Sequence, residues 1–155
     1  MVAVTYFRLI LFSLLFFLAN HVVLSMDNVK SELTLQEAHS LYINKNLTII
    51  DVRTINEWKM TGIIPTSILI NMHDDNYQER KGFVTEITKI LLEYQDKNVA
   101  FICASGARSK IITDYLVNKG YKNIYHIPDG IMGKQNDGWL FNGYPLINYN
   151  NMKEK

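Results

Sequence analysis

The residues best suited to chemistry lie in one stretch, Phe101-Ile102-Cys103-Ala104-Ser105-Gly106-Ala107-Arg108-Ser109. An apolar strand is predicted to end at Cys103, and a helix is predicted to begin about five residues later. The small residues between them let successive backbone N–H groups face one point, which is an anion-binding arrangement, and the positive end of the helix stabilises a thiolate. The sequence therefore predicts that Cys103 is a nucleophile that needs no histidine base. The alternative is a tight turn that holds a buried, inert thiol.

The elements that position this loop follow a βαβ rhythm, in which short apolar runs alternate with helical spacing. Strands are predicted over residues 47–52, 67–72, 98–103 and 123–127. Helical stripes are predicted to face inward at three sets of residues: Leu35, Ala38, Leu41 and Tyr42 behind a Thr34–Glu37 capping box; Val84, Ile87, Thr88, Leu91 and Leu92; and Ile112, Tyr115 and Leu116 in a helix over 109–119 that ends at Gly120. This pattern predicts an α/β fold with a parallel sheet of about four to five strands and helices on both faces. Cys103 would then lie at the edge where such sheets bind ligands.

Composition and charge limit the classes of function. The chain has 155 residues with 16 Lys+Arg against 15 Asp+Glu, so it lacks the clustered basic charge typical of a protein that binds nucleic acid. Its one cysteine cannot form a disulfide within the chain, and one cysteine with four histidines in no cluster argues against a metal site. Residues 26–155 are predicted to form a single domain, with surface loops over 73–82 and 128–139.

The N-terminal segment has the layout of a signal peptide. Residues 9–19 (LILFSLLFFLA) form an apolar run behind Arg8, and this run is shorter than the roughly 18 residues of a membrane span. Val23 and Ser25 stand at −3 and −1 of a cleavage site before Met26. We therefore expect residues 1–25 to be a signal peptide and the protein to be exported, periplasmic or secreted. The alternative is an uncleaved leader that anchors the protein to a membrane.

Three motifs occur together between Thr34 and Ile147. They are the loop Cys103-Ala104-Ser105-Gly106-Ala107-Arg108-Ser109, the segment Ile50-Asp51-Val52-Arg53 with Glu57-Trp58, and the closing residues Gly130-Ile131 with Trp139, Gly143 and Pro145. These resemble the C-x-x-G-x-R-S loop, the D-V-R-x-x-x-E-[FWY] segment and the G-I…W-x-x-x-G-x-P pattern of the rhodanese family, the thiosulfate sulfurtransferases.

The chain departs from the family's pattern at several positions. Residues 62–67 (GIIPTS) stand where the family usually reads G-H-I-P-G-A, and the histidine is missing. Asp129 replaces the first of two common glycines, and residues 133–138 form a longer stretch before Trp139. Ala104 stands where the family often has Arg or Lys, so thiosulfate meets less positive charge. These departures affect the expected substrate preference and leave the nucleophile in place.

The resemblance implies a double displacement. The Cys103 thiolate would attack the outer sulfur of a donor such as thiosulfate, and the resulting persulfide would pass its sulfur to a thiophilic acceptor, cyanide or a thiol. The resemblance assigns substrate binding to the loop residues Ala104, Ser105, Gly106, Ala107 and Arg108. Arg108 would contact the anion or, as we favour, brace the loop by pairing with Glu57. Asp51, Arg53 and Glu57 are expected to support the site, and no cofactor or metal is implied.

Two other functions remain open at this point. A cysteine-dependent phosphatase of a related fold would use the same kind of loop, but it needs five residues between cysteine and arginine, and this loop has four. A non-catalytic persulfide carrier or interaction module would keep the cysteine without turnover. Repeated turnover of a sulfur donor distinguishes an enzyme from a carrier.

Overall fold

A computed structural model describes residues 30–152, so the predicted signal peptide, residues 1–25, lies outside the described residues. The helices are α1 (Leu35–Ile43), α2 (Ile55–Thr61), α3 (Phe83–Leu91) and α4 (Ala107–Asn118), and the strands are β1 (Thr48–Asp51), β2 (Ile68–Leu69), β3 (Val99–Ile102) and β4 (Ile124–His126). A short 3-10 helix follows at Tyr149–Met152. Within residues 30–152, no helix has the length and hydropathy of a membrane span.

The four strands form one parallel sheet in the order β2-β1-β3-β4. In the register of the central strands, Asp51 at the end of β1 lies beside Ile102 at the end of β3. Both strands therefore end at the same edge of the sheet, and the loops that follow them are neighbours. The predicted α/β fold is confirmed, and residues 30–152 contain four parallel strands and four helices.

Successive side chains along each strand point to opposite faces of the sheet, so the core has one part on each face. Phe101 of β3 packs on the face covered by α3 and α4, whereas Ala100 and Ile102 pack on the face covered by α1. Every residue of β3 is buried, which is typical of a central parallel strand. The predicted cover of helices on both faces is therefore confirmed.

The structure corrects several details of the predicted elements. Helix α2 was not predicted, although Thr54 and Glu57 form a capping box at its N-terminus. Leu92 and Tyr115 were predicted to face inward but are exposed, at 64% and 42%. Leu92 directly follows α3, and its side chain lies outside the buried stripe of this helix. That stripe consists of Phe83, Ile87 and Leu91.

The two predicted loops differ in their burial. Residues 75–79 are exposed, as expected for the first loop. The second loop was predicted to lie near the surface, and this was wrong for Ile131 and Trp139. Ile131 and Trp139 are fully buried on the α1 face of the sheet, and Trp139 Nε1 donates a hydrogen bond to the Pro145 carbonyl at 3.1 Å. Aromatic and apolar side chains thus pull this irregular segment into the core.

Candidate active site

Cys103 directly follows the last residue of β3 and is 1% exposed. Its side chain belongs to the core cluster that also contains Phe101 and Ile112. The strand fixes the Cα position, and the surrounding apolar residues keep water away from most of the thiol.

The loop after Cys103 turns sharply at Gly106. This glycine has φ +86°, and a Cβ at this position would lie 2.0 Å from the Pro128 carbonyl oxygen. Only glycine combines the left-handed conformation with this close approach. Helix α4 begins at Ala107, two residues before the predicted start, because Gly106 serves as its N-cap.

Backbone N–H groups of the loop are available to bind a ligand. Within residues 30–152, the N–H groups of residues 104–108 donate no hydrogen bond to another protein group. The first turn of any helix leaves such donors unused, and here the preceding turn adds more. Their partial positive charges, together with the helix end, suit an anion next to Cys103.

The segment around Gly130 forms a floor under the loop, which the sequence analysis did not predict. Ile131 and Met132 donate backbone hydrogen bonds of 2.8 Å to the carbonyl oxygens of Cys103 and Ala104. A Cβ on Gly130 would lie 2.5 Å from the Cys103 carbonyl oxygen. The sequence marked this segment only by the Gly130-Ile131 motif, and the motif does not indicate that the segment contacts the Cys103 loop.

Arg108 is paired with Glu57, as predicted for a residue that braces the loop. Its two terminal nitrogens donate to the two carboxylate oxygens at 2.8 and 2.6 Å, in a fork that joins α4 to α2. Burial raises the pKa of Glu57, but hydrogen bonds from Arg108 and Thr54 hold it below its ordinary value. Burial also lowers the pKa of Arg108, but Glu57, with smaller contributions from the charges of Cys103 and Asp51, raises it above its ordinary value. Both groups are therefore charged at neutral pH.

Asp51 and Arg53 form a second, fully buried pair at the end of β1, with side chains 0% and 1% exposed. The Arg53 guanidinium bonds Asp51 at 2.7 Å, and it also donates to the Thr61 hydroxyl and the Gly62 carbonyl at the end of α2. These contacts fix α2, and therefore Glu57, relative to the sheet. The polar atoms of Asp51 and Arg53 thus bond each other and the end of α2.

Ser109 is a site residue that the sequence analysis named only as part of a motif. It is fully buried, its hydroxyl lies 3.6 Å from the Cys103 sulfur, and it donates to the Gly106 carbonyl at 3.0 Å. Hydroxyl hydrogens rotate at little cost, so this group can follow the protonation state of the thiol. The predicted helix over 109–119 began at Ser109, so the sequence already placed this hydroxyl at the helix end next to the Cys103 loop.

The described residues hold no other centre of comparable chemistry. Within residues 30–152, no group of three or more His, Cys, Asp or Glu side chains is arranged to hold a metal ion. A shallow cavity of about 730 Å³ lies between the segment from Lys30 to Glu37 and the Pro128–Asp129 turn, and the Cys103 loop does not line it. The Cys103 loop is therefore the candidate active site.

The fold and the site place the protein in the class of parallel α/β domains with a buried cysteine between a strand, here β3, and the helix that follows it, here α4. Comparison with known proteins identifies the family. The model of the rhodanese-like domain matches residues 34–137. The chain belongs to this family.

Relatives and solved structures agree with that assignment. An uncharacterized protein of Rickettsia prowazekii is 38% identical over 106 residues, which are 68% of this chain and 86% of the relative. A rhodanese-related protein of Thermoplasma volcanium is 32% identical with a TM-score of 0.55, covering 75% of this chain and 96% of its own. The polysulfide-sulfur transferase homodimer of Wolinella succinogenes is 27% identical with a TM-score of 0.56, covering 76% and 78%.

Proposed function

We propose that the protein is a sulfurtransferase that moves a sulfane sulfur from a small donor, thiosulfate or a similar compound, to a thiophilic acceptor through a persulfide on Cys103. The observation that carries this proposal is the juxtaposition of the cysteine with a loop whose N–H groups of residues 104–108 are unused within residues 30–152. A persulfide anion needs convergent donors more than it needs an acid or base.

The proposed reaction has two displacements on one sulfur atom. The Cys103 thiolate attacks the outer sulfur of thiosulfate, the sulfur–sulfur bond of the donor breaks, and sulfite leaves with the electron pair. The persulfide then lies in the loop, where backbone N–H groups stabilise its terminal charge. A nucleophilic acceptor, cyanide or a thiol, attacks that terminal sulfur and returns Cys103 as a thiolate.

The size of the loop favours sulfur over phosphate. Four residues separate Cys103 from Arg108, and Arg108 directs both terminal nitrogens to Glu57. A phosphatase of this type needs its arginine to face the three non-bridging oxygens of a phosphate. Here the arginine is engaged on the other helix, which supports the role of a brace for the loop.

Known relatives support the same chemistry. Wolinella succinogenes polysulfide-sulfur transferase shares the fold at 27% identity. The transfer of sulfur named for that protein fits a site with one cysteine, because a persulfide needs no second thiol to form.

The decisive experiment is persulfide formation followed by turnover. Purified protein is incubated with excess thiosulfate, and intact mass is measured without reductant. We expect the mass of one added sulfur atom, its loss on addition of cyanide, and release of thiocyanate well beyond one equivalent. Because the chain has one cysteine, Cys103→Ser must abolish all three signals, and Cys103 is the only thiol that needs to be followed.

Other outcomes select the alternatives. A persulfide that forms once and is not turned over with any acceptor makes the protein a carrier. Cysteine-dependent hydrolysis of an aryl phosphate by the wild-type protein selects the phosphatase. Absence of both the persulfide and hydrolysis contradicts enzymatic function at Cys103.

A further inference from the structure

The full charges of the side chains around Cys103 cancel one another. Arg108 donates both terminal nitrogens to Glu57, and the two side chains are only 15% and 17% exposed. Arg53 is 1% exposed and is bonded to Asp51. Each guanidinium beside the loop therefore has its own carboxylate, and the four charges sum to zero before the thiolate is counted.

The loop itself adds no charge, and the segments that contact it carry charged residues of both signs. Residues 104–107 are uncharged, so the cradle consists of backbone N–H groups and the end of α4. Asp129 follows Pro128, whose carbonyl packs against Gly106, and Lys134 follows Gly133, whose backbone N–H donates to the Ala104 carbonyl at 3.2 Å. The carboxylate of Asp75 accepts a hydrogen bond of 3.3 Å from the backbone N–H of Asn56, next to Glu57.

With both ion pairs neutral, a sulfur donor at this site meets the negative charge of the thiolate and the partial positive charges of the loop N–H groups and the end of α4. A helix N-terminus supplies roughly half an elementary charge. Thiosulfate brings two negative charges to this place, whereas an organic thiosulfonate or persulfide brings one fewer at the reacting group. The second charge of thiosulfate is repelled by the thiolate and has no unpaired guanidinium to compensate it.

We propose that the Cys103 site selects organic sulfane-sulfur donors with a single negative charge, thiosulfonates and persulfides, over dianionic thiosulfate. This inference rests on the proposed function and specifies its substrate class. For a thiosulfonate, the Cys103 thiolate attacks the outer sulfur, the sulfur–sulfur bond breaks, and a sulfinate leaves with the electron pair. Charge is conserved, since a thiolate and a monoanion give a persulfide and a sulfinate.

Methanethiosulfonate and thiosulfate provide a matched pair of probes, because they differ by a methyl group in place of one charged oxygen. The second-order rate constant of persulfide formation is measured for each by intact mass in a single turnover. Each rate constant is divided by that of the same donor with 2-mercaptoethanol, which removes the intrinsic reactivity of the donor. We expect the corrected ratio to favour methanethiosulfonate by about tenfold, as for one extra like charge a few ångströms from the thiolate in a partly solvated site.

Variants test whether charge causes this preference. Ala104→Lys places a cation at the start of the loop and is expected to raise the rate constant for thiosulfate relative to methanethiosulfonate. Ala104→Met adds similar length without charge, and Leu92→Lys adds the same charge at an exposed position at the end of α3. Neither control is expected to change the corrected ratio. Added salt should accelerate the reaction of wild type with thiosulfate more than that with methanethiosulfonate.

The outcomes separate this inference from the proposed function. A corrected ratio at or below one, with persulfide formed from both donors, overturns the selection by charge and leaves the sulfurtransferase intact. A ratio that responds equally to Ala104→Lys and Ala104→Met attributes the preference to size and also overturns it. If no donor forms a persulfide, the proposed function itself fails, and this inference fails with it.

Discussion

The pair between Arg108 and Glu57 gives the most informative test of how the site is built. If Arg108 is a brace, then Glu57→Gln, Arg108→Met and the double variant all break the same contact between α4 and α2. If Arg108 instead contacts the donor, its loss has consequences that Glu57→Gln does not share. A double-mutant cycle on stability and on activity distinguishes these roles.

The expected coupling follows from the geometry of the fork. Opposite charges about 4 Å apart attract by about 4 kcal/mol at an effective dielectric constant near 20. With the side chains 15% and 17% exposed, desolvation offsets about half of this attraction, which leaves a coupling of about 2 kcal/mol. Each single variant should therefore lower the free energy of unfolding by about 2 kcal/mol, which is a fall in Tm of about 8 °C for a domain of this size.

Urea unfolding and sulfur transfer are measured for wild type and the three variants, with methanethiosulfonate as the donor so that donor charge has little influence. For a brace, all three variants should lose a similar factor in kcat/KM, about tenfold or more, because each displaces the same loop. The double variant should be hardly worse than either single variant in both measurements.

Two results would refute this reasoning. A coupling in the free energy of unfolding below about 0.5 kcal/mol would show that the fork adds no more than an exposed ion pair. A much larger loss of kcat/KM for Arg108→Met than for Glu57→Gln, at equal stability, would place the guanidinium on the donor.

Three further predictions follow from the geometry and the sequence. Gly106→Ala should lower the free energy of unfolding by about 3 kcal/mol or more, because its Cβ meets the Pro128 carbonyl oxygen. The control Gly82→Ala, at a similar φ but with open space around it, should lower the free energy of unfolding by about 1 kcal/mol. Thermal unfolding of the two variants measures the difference. Because the pKa of Glu57 lies below its ordinary 4.5 in the folded protein, its carboxylate adds stability that is complete above that pH and is lost as the pH falls further. Wild type should therefore lose more stability than Glu57→Gln between pH 7 and pH 3.5 in urea titrations, and an equal loss would contradict the role of the pair. If the leader is cleaved on export, N-terminal sequencing of the exported protein should begin at or near Met26, while retention of the leader on membranes would establish an anchor.

Local patterns in the sequence were sufficient to predict the fold and the position of Cys103 between a strand and a helix. A capping box at Thr34 marks the start of α1, and Gly120, with φ +88°, follows the end of α4. The apolar run before Cys103 and the small residues after it predicted a strand, a loop and a helix in that order. Such features depend on backbone geometry and on neighbours in the chain, so residue type and spacing determine them.

Contacts between distant segments were decided only by the tertiary structure. The sequence left Arg108 with two roles, and the packing of α4 beside α2 brought it to Glu57, 51 residues away. The floor under the loop depends on backbone atoms of Ile131 and Met132, which have no side-chain signal in the sequence. The neutral charge balance around Cys103 likewise depends on which carboxylate each guanidinium reaches. Residue types fix which charges are present, but only the register of the sheet and the packing of its helices fix which of them meet.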